Sequence, residues 1–307
     1  MLNNSQAKKS PFITVFTPTY NRAYSLGDVY NCLCEQTLTD FEWVIVDDGS
    51  IDNTEQLVQS WIAENVISIL YVKKPNGGKH TAINQGVTLA RGEWFLIFDS
   101  DDKCTPNTIE RFYQIYTSLN DEEREKVSTI SVRSMTESGV NVGPEYSFER
   151  KLVFSPLEQL TLRSEAERWG MNKTSLMREM PFPIFEGERF IPESLIWNRL
   201  SLKYAALFVN EALRVFTPRE DGLTASMLLI RVKSAKGVTL CYEQMLDMPL
   251  NKTAYFKALV NYYRFSFHSK KHNNLRGFKE VVSFTVGYLF YLRDVFLLGN
   301  VSLKSGN

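Results

Sequence analysis

The most constraining feature of this sequence is an apolar run, residues 94–98, that ends abruptly in Asp99, Asp101 and Asp102. Strands of a parallel sheet are covered on both faces and read as apolar runs, and ligands bind just beyond their carboxyl ends. Clustered carboxylates repel one another unless a cation neutralises them, and Mg²⁺ and Mn²⁺ prefer such oxygen ligands together with a phosphate. The run therefore predicts a site for a metal ion and a phosphate-bearing substrate. The alternative is a solvated turn, which Asp and Ser also favour.

Strand-like and helix-like segments alternate through the first third of the chain. Residues 12–16, 41–46 and 66–72 predict strands, each followed by apolar residues at helical spacing. Such units predict an α/β fold with a parallel sheet and right-handed crossovers. Four strand ends would then meet at one edge of the sheet, and all are polar, acidic or glycine-rich: residues 17–22, 47–50, 73–79 and 99–102.

The rest of the chain carries weaker signals. They predict a helix beginning at Thr105-Pro106, a strand at 127–133, a possible hairpin within 140–153, a helix at 157–162, a loop at 182–192, a helix at 193–204 and a closing strand pair at 205–215.

Composition supports a folded protein, and the balanced net charge gives no indication for or against nucleic acid; we expect no nucleic-acid partner. Of the 307 residues, 44% are hydrophobic, and 35 basic residues balance 35 acidic ones. The four cysteines lack zinc or redox spacing and no signal peptide is evident, so we expect reduced thiols in a cytoplasmic protein.

The C-terminal part is basic and aromatic. From Asn251 onwards nine Lys and Arg residues stand against Glu280 and Asp294, which suits an anionic membrane surface. Residues 281–298 are almost wholly apolar, with Arg293 and Asp294 as their charges. This segment predicts either a core-packed terminal helix or a helix that lies in the membrane plane or against a partner.

Four sequence blocks together resemble the family 2 glycosyltransferases of the GT-A fold. They are residues 15–22, 46–52, 76–86 and 98–102, in the family's order. The resemblance is strong over residues 12–111 and weak onwards to about 204. It implies a Rossmann-like, mostly parallel sheet flanked by helices, here followed by a helical C-terminal extension.

The resemblance implies how a nucleotide-sugar donor is held. Thr17, Pro18 and Arg22 belong to the loop that binds the nucleobase, and Tyr20 stacks on the base. Asp48 accepts a hydrogen bond from the base N3–H, a group that uracil and thymine possess. A uridine diphosphate sugar is therefore favoured, ahead of a thymidine one.

The resemblance also assigns the acidic strand end. Asp99 and Asp101 form an Asp-x-Asp motif for the ribose and for a divalent metal, Mn²⁺ or Mg²⁺. Asp102 assists with the metal, and Ser100 lies beside the donor. Lys79 either reaches the diphosphate or is an ordinary surface lysine.

The resemblance places the catalytic base at the start of a helix in the second half, where Glu193 stands. The sequence reads Pro-Glu-Ser there instead of the commoner Glu-Asp pair, so Glu188 and Glu186 remain alternatives. A carboxylate at a helix N-terminus is also favoured by the helix dipole alone. Trp169 and Trp197 are candidates either for stacking on acceptor sugars or for core packing.

The implied activity is metal-dependent, inverting transfer of a hexosyl or N-acetylhexosaminyl group from a nucleotide-diphospho-sugar to a saccharide or lipid-linked saccharide. The setting would be capsule, O-antigen or exopolysaccharide assembly at the inner membrane face. A non-catalytic nucleotide-sugar-binding subunit and a sugar-phosphate nucleotidyltransferase are the alternatives. We expect a loose N-terminus (1–10), a donor-binding half (11–125), an acceptor-binding half (126–230) and a helical extension (231–307).

Overall fold

The structure is a computed structural model that describes residues 10–216, 227–271 and 278–304. Residues 1–9 of the predicted loose N-terminus lie outside this part. The strands are β1 (Ile13–Thr19), β2 (Phe41–Asp47), β3 (Ile69–Lys73), β4 (Trp94–Ile97), β5 (Lys103–Cys104), β6 (Val127–Met135), β7 (Arg150–Val153), β8 (Arg168–Lys173) and β9 (Ala205–Val215). The helices are α1 (Leu26–Cys34), α2 (Thr54–Glu64), α3 (Lys79–Leu89), α4 (Thr108–Thr117), α5 (Asp121–Lys126), α6 (Pro156–Glu165), α7 (Thr174–Glu179), α8 (Ser194–Ser201), α9 (Met227–Lys233), α10 (Ala235–Leu246), α11 (Lys252–His268) and α12 (Phe278–Lys304).

These strands form one mixed sheet in the order β3-β2-β1-β4-β8-β6-β9-β5, with β7 added on β9. Strands β1 to β4 are mutually parallel, as the alternating pattern predicts. Their carboxyl ends therefore meet at one edge. Strand β8 runs antiparallel to both β4 and β6, and it joins the parallel half to the second half of the chain.

Two apolar cores cover the two faces of the sheet because side chains alternate along each strand. In β1, Ile13 and Val15 face the core that also holds residues of α1, α2 and α4. Phe16 faces the core that holds residues of α3, α7 and α8. Gly86 lets α3 lie close to the sheet, since a Cβ there would be 2.2 Å from a ring carbon of Phe16.

Strand β1 runs further than expected. The loop predicted from Thr17 begins only after Thr19, because β1 keeps pairing with β2 to that residue. The Thr19 carbonyl points towards β2, where it accepts a hydrogen bond from the Asp48 N–H. The backbone of the preceding residue, Pro18, therefore points to the opposite neighbour, and the missing N–H costs no hydrogen bond with β2. The proline nitrogen then faces β4, whose pairing ends at Phe16.

Three further boundaries differ from the sequence prediction. Helix α4 begins at Thr108 and not at Thr105, whose N–H donates to the Leu213 carbonyl of β9. Residues 205–215 form one strand instead of a pair. Within 140–153, β7 pairs with β9, so no hairpin forms there among the residues described. The helix at 157–162 and the loop at 182–192 are where the sequence predicts them.

The C-terminal helices pack in sequence order, α10 against α11 and α11 against α12. Aromatic contacts join Phe284 of α12 to Tyr263 and Phe267 of α11. Asp294, 1% exposed, accepts two hydrogen bonds from Arg264 at 2.6 Å and lies 3.1 Å from His268. The opposite face of α12 is exposed and apolar. One face of the helix therefore packs against α11, and the contact of the other face with a membrane or a partner stays a prediction.

Candidate active site

The loops after β1 and β2 form the predicted binding site for the nucleobase of the donor. Tyr20 is about half exposed, and Asn21, at φ +52°, bridges to the β2 loop through Ser50 and Ile51. Thr17 is buried in β1, and its hydroxyl accepts a hydrogen bond at 2.9 Å from the indole of Trp43. Within the predicted donor set, Thr17 therefore faces the core, and the exposed loop begins at Tyr20. Arg22 contacts the hydroxyl of Tyr24.

Asp48 fixes the turn that starts α3. Its buried carboxylate accepts hydrogen bonds from the N–H groups of Gly77 at 2.9 Å and Gly78 at 2.7 Å, and from the ammonium of Lys74. Gly78 has φ +92°, and a Cβ there would lie 1.9 Å from the carbonyl oxygen of Arg189. Only glycine therefore lets this turn meet the 182–192 loop.

The acidic strand end divides into two environments. Asp99 is partly exposed and forms an ion pair with Lys79 at 2.6 Å. Asp102 is buried and forms an ion pair with Arg214 at 3.1 Å. Burial, together with repulsion from Asp99 and Asp101, raises the pKa of Asp102 to about 7, against the opposing effect of Arg214. Asp99 and Asp101 are thus more accessible to a ligand than Asp102.

Ser100 lies between these carboxylates and is buried. Its backbone carbonyl accepts a hydrogen bond at 2.9 Å from the Ser25 hydroxyl at the start of α1. This contact anchors the acidic turn to the first helix.

The carboxylates at this edge fit a hard divalent cation that would also bind a diphosphate. Within the described ranges no group of three or more Asp, Glu, His or Cys side chains could hold a metal by itself. Mg²⁺ is commonly bound through one or two carboxylates with substrate phosphates as the other ligands. The assignment of Asp99 and Asp101 to these two positions stays a prediction.

Lys79 joins the acidic strand end to the predicted base. Its ammonium lies 2.6 Å from Oδ1 of Asp99 and 2.7 Å from Oε1 of Glu193. Burial disfavours the charge on Lys79, but the two carboxylates outweigh burial and raise its pKa. The same lysine lowers the pKa of Asp99 against the effect of burial. The structure thus brings together three predicted site residues from β4, α3 and α8.

The three candidate bases lie in different surroundings. Glu193 occupies the N-cap position of α8 and borders the cavity described below. The carboxylate of Glu188 accepts hydrogen bonds from the N–H groups of Lys236 and Gly237 at 2.8 and 2.9 Å, so it caps α10. Glu186 is exposed. Of the three, Glu193 alone shares a contact with the acidic strand end among the residues described.

A cavity of about 510 Å³ extends from this edge into the second half of the chain. Its lining includes charged groups that the sequence reasoning missed: Arg163, Glu167, Arg168 and Arg214. The sequence does mark Arg214, because it interrupts an otherwise mostly apolar strand. In the structure Arg214 forms ion pairs with Asp102 and, at 2.6 Å, with Glu167. The other three have no distinguishing local pattern.

The two candidate tryptophans also border the cavity. Trp169 is buried, packs against Phe98 and Phe112, and donates its indole N–H to the Ile97 carbonyl at 2.6 Å. This is mainly a core residue. Trp197 on α8 is half-buried and lies one helical turn from Glu193.

Comparison with known proteins identifies the family. Residues 14–122 match the family model described as glycosyl transferase family 2. Residues 14–122 therefore form a domain of the glycosyltransferase family 2 type. The match contains all four sequence blocks, which confirms the resemblance drawn from them.

Two relatives of this glycosyltransferase extend over most of its length. It is 25% identical over 277 residues to glycosyltransferase GlyG of Streptococcus pneumoniae serotype 4, covering 82% of this chain and 88% of the relative. It is also 25% identical over 277 residues to the GalNAc(5)-diNAcBac-PP-undecaprenol beta-1,3-glucosyltransferase of Campylobacter jejuni, covering 85% and 83%. These relatives support nucleotide-sugar transfer in glycan biosynthesis.

Solved structures share the fold. S. aureus TarS 1-349 in complex with UDP-GlcNAc superposes with a TM-score of 0.62 at 20% identity, covering 92% of this chain and 81% of TarS. The mannosyltransferase PcManGT of Pyrobaculum calidifontis, in complex with GDP-Man and Mn²⁺, has a TM-score of 0.56 at 17% identity, with coverages of 97% and 81%. The α/β GT-A fold, with helices flanking a central sheet and a helical C-terminal part, is thereby confirmed.

Proposed function

We propose that this glycosyltransferase moves a hexosyl or N-acetylhexosaminyl group from a uridine diphosphate sugar to a hydroxyl of a saccharide or lipid-linked saccharide, with inversion at the anomeric carbon. One observation carries the proposal. Lys79 contacts both Asp99, beside the expected diphosphate, and Glu193, the expected base. These contacts bring the carboxylate beside the expected leaving group and the expected base to the same lysine, so both would serve one reaction site.

The donor would lie along the edge formed by β1, β2 and β4. Tyr20 offers an exposed ring for the base, and Asp48 offers a carboxylate that can accept from an imide N–H. The choice of uridine rests on this chemistry. The fold neighbours do not decide it, since one holds UDP-GlcNAc and the other GDP-Man.

Asp99 and Asp101 would hold Mn²⁺ or Mg²⁺ with the diphosphate, and Asp102 would support the turn through Arg214. When bound, the cation supplies Lewis-acid stabilisation of the charge on the departing nucleoside diphosphate. Lys79 would turn from Asp99 towards the phosphate oxygens, where its charge has the same effect.

Glu193 would act as the general base. As the acceptor oxygen attacks C1, its proton passes to the Glu193 carboxylate, and the bond between C1 and the phosphate oxygen breaks. One displacement of this kind inverts the anomeric carbon.

The exposed face of α12 would place the enzyme on the inner face of the membrane, close to a lipid-linked acceptor of surface polysaccharide assembly. Residues 280–298 form a helix long and apolar enough to cross a membrane, and only 17% of that window is buried. The buried Asp294, tied to Arg264 of α11, favours a helix that lies in the membrane plane instead.

Flotation with anionic liposomes tests the membrane contact. Leu289 and Phe296 are 60% and 69% exposed, so Leu289→Glu with Phe296→Glu should abolish flotation. Val140→Glu is the matched control, because Val140 is 63% exposed on a different surface. A wild-type protein that stays in solution would contradict the membrane part alone.

A thermal-shift screen of nucleotide sugars with Mn²⁺ tests the donor part, because ligand binding to the folded state raises the melting temperature. The largest shift is expected with a uridine diphosphate sugar, and a chelator should remove it. Product formation from the same sugar would separate an enzyme from a non-catalytic binding subunit. Equal shifts for all nucleotides, or full activity in chelator, would contradict the proposal.

A further inference from the structure

Two arginines in the cavity wall lack a carboxylate partner among the described residues. Arg163 comes from the last turn of α6, and Arg168 is the first residue of β8. Both line the cavity. Within the described part of the chain, neither guanidinium forms an ion pair. The nearby Glu167 instead pairs with Arg214.

Arg163 is fixed by the helix that carries the proposed base. Its Nη2 donates to Oδ1 of Asn198 at 3.2 Å, and Asn198 lies five residues after Glu193. That separation is about 7.5 Å along a helix axis. Burial lowers the pKa of Arg163 to about 10, so it stays charged at neutral pH.

Arg168 is held by aromatic rings rather than by charge. Its guanidinium lies 4.8 Å from the ring centroid of Tyr146 and 5.3 Å from that of Phe208. Nη1 donates to the Val209 carbonyl at 3.0 Å. Its Nε and Nη2 are buried and have no hydrogen-bond partner among the described residues. Buried charges are usually paired, so the positive charge of Arg168 in the cavity wall, with no carboxylate partner among the described residues, favours an anionic ligand.

We infer that Arg163 and Arg168 bind an anionic group of the acceptor, a phosphate or a carboxylate, beyond the hydroxyl that Glu193 deprotonates. Guanidinium groups bind both oxyanions through paired hydrogen bonds. The donor diphosphate is assigned to Lys79, Asp99 and Asp101, and among the described residues neither arginine forms a hydrogen bond or ion pair with these two carboxylates. The inference rests on the proposed function only in giving this part of the cavity to the acceptor.

Three hexoses that differ only at C6 provide the probes: glucose 6-phosphate, glucuronic acid and neutral glucose. Each is titrated into the full chain saturated with uridine diphosphate and Mg²⁺, and again without nucleotide. The readout is the NMR signals of the tryptophan indole N–H groups. Trp169 and Trp197 border the cavity, whereas Trp43 and Trp61 do not line it and serve as internal controls.

At least one anionic sugar should bind about tenfold or more tightly than glucose and shift the Trp169 and Trp197 signals, since each charge-assisted hydrogen bond is worth about that factor. The stronger of the two identifies phosphate or carboxylate as the natural group. Arg163→Gln and Arg168→Gln should each remove most of the preference, and Arg163→Lys should keep part of it. Arg150→Gln, on an exposed arginine outside the cavity, should keep it all.

Equal binding of the three hexoses to the wild type, or an unchanged preference in both glutamine variants, would overturn the inference. Uridine diphosphate binding is measured in the same samples. If the anionic preference exists but the nucleotide does not bind, the proposed function fails and the anion site stands. If the nucleotide binds without any anionic preference, the anion site alone fails.

Discussion

The Lys79 ammonium lies 2.7 Å from the carboxylate of Glu193 while it also contacts Asp99 at 2.6 Å. Before a donor binds, one lysine thus pairs with both the carboxylate assigned to the cation and the carboxylate assigned to the base. A cation that enters alone must compete with Lys79 for Asp99. A cation that enters with a diphosphate gives Lys79 a new anionic partner, so donor and metal should bind together.

Lys79→Met should therefore change metal and nucleotide affinity in opposite directions. Without nucleotide, Mn²⁺ should bind more tightly because its competitor at Asp99 is gone. Uridine diphosphate with Mn²⁺ should bind about tenfold more weakly because a charged contact to phosphate is lost. Free Mn²⁺ measured by electron paramagnetic resonance, and calorimetry for the nucleotide, give the two affinities.

Lys73→Met is the matched control, since Lys73 forms an exposed pair with Glu55 at 3.0 Å away from the acidic strand end. It should alter neither affinity. Parallel changes of both affinities in Lys79→Met would argue against competition at Asp99.

Gly78→Ala should damage both stability and transfer. A Cβ at this position would lie 1.9 Å from the Arg189 carbonyl, so the 182–192 loop and Glu193 beyond it must move. We expect a loss of about 3 kcal/mol or more in the free energy of unfolding, from steric overlap added to backbone strain. Urea unfolding and initial rates of transfer measure the two effects.

Gly187→Ala measures the backbone strain of a positive φ without the steric overlap. Gly187 also has a positive φ, +79°, but nothing lies within 4 Å of its added Cβ. This variant should lose only about 1 kcal/mol. Similar losses in the two variants would mean that the contact with Arg189 is unimportant.

Asp294→Ala should detach α12 from α11. The change leaves Arg264, and the partly buried His268, without their carboxylate, and breaking a buried ion pair costs about 3–5 kcal/mol. Glu243→Ala is the control, because its pair with Lys271 is exposed and worth no more than about 1 kcal/mol. Denaturant unfolding followed by fluorescence gives both values, and equal losses would contradict the structural role given to Asp294.

Cys32 should react with iodoacetamide at neutral pH. A hydrogen bond from the Cys104 thiol lowers the pKa of Cys32 to about 7, against the effect of burial, whereas burial raises the pKa of Cys34. The reactive thiolate of Cys32 should thus appear as the pH rises through about 7, while Cys34 needs a more alkaline solution. Mass spectrometry of alkylated peptides follows both sites.

Cys104→Ala removes the donor and should move the Cys32 profile to higher pH. If Cys32 and Cys34 are alkylated with the same pH dependence in the wild type, the proposed hydrogen bond does not control Cys32.

The parallel half of the fold is predictable from the sequence because its signals are local. The apolar run at 94–98 predicts β4, which the structure has at Trp94–Ile97. The four polar strand ends predict their shared edge. The resemblance adds the expected position of Glu193 but not its contact with Lys79, which depends on how α8 packs against α3 across the second half of the chain.

The cationic part of the cavity wall is not predictable in the same way. In the sequence, Arg163 and Arg168 look like any surface arginines, and only the packing of α6, α8 and β8 gives them a common cavity. Arg214 is an intermediate case. A charge within an apolar strand indicates a buried ion pair, although the sequence does not reveal Asp102 as its partner.

The central claim is tested most directly by the turnover of Glu193→Gln with a uridine diphosphate sugar and a competent acceptor. The account predicts a fall of about 100- to 10,000-fold, the usual contribution of a general base, with uridine diphosphate affinity retained. Glu186→Gln, an exposed carboxylate of the same segment, should keep wild-type turnover. Near-normal turnover of Glu193→Gln would contradict the account, and loss of activity in Glu186→Gln would point to Glu186 as the base instead.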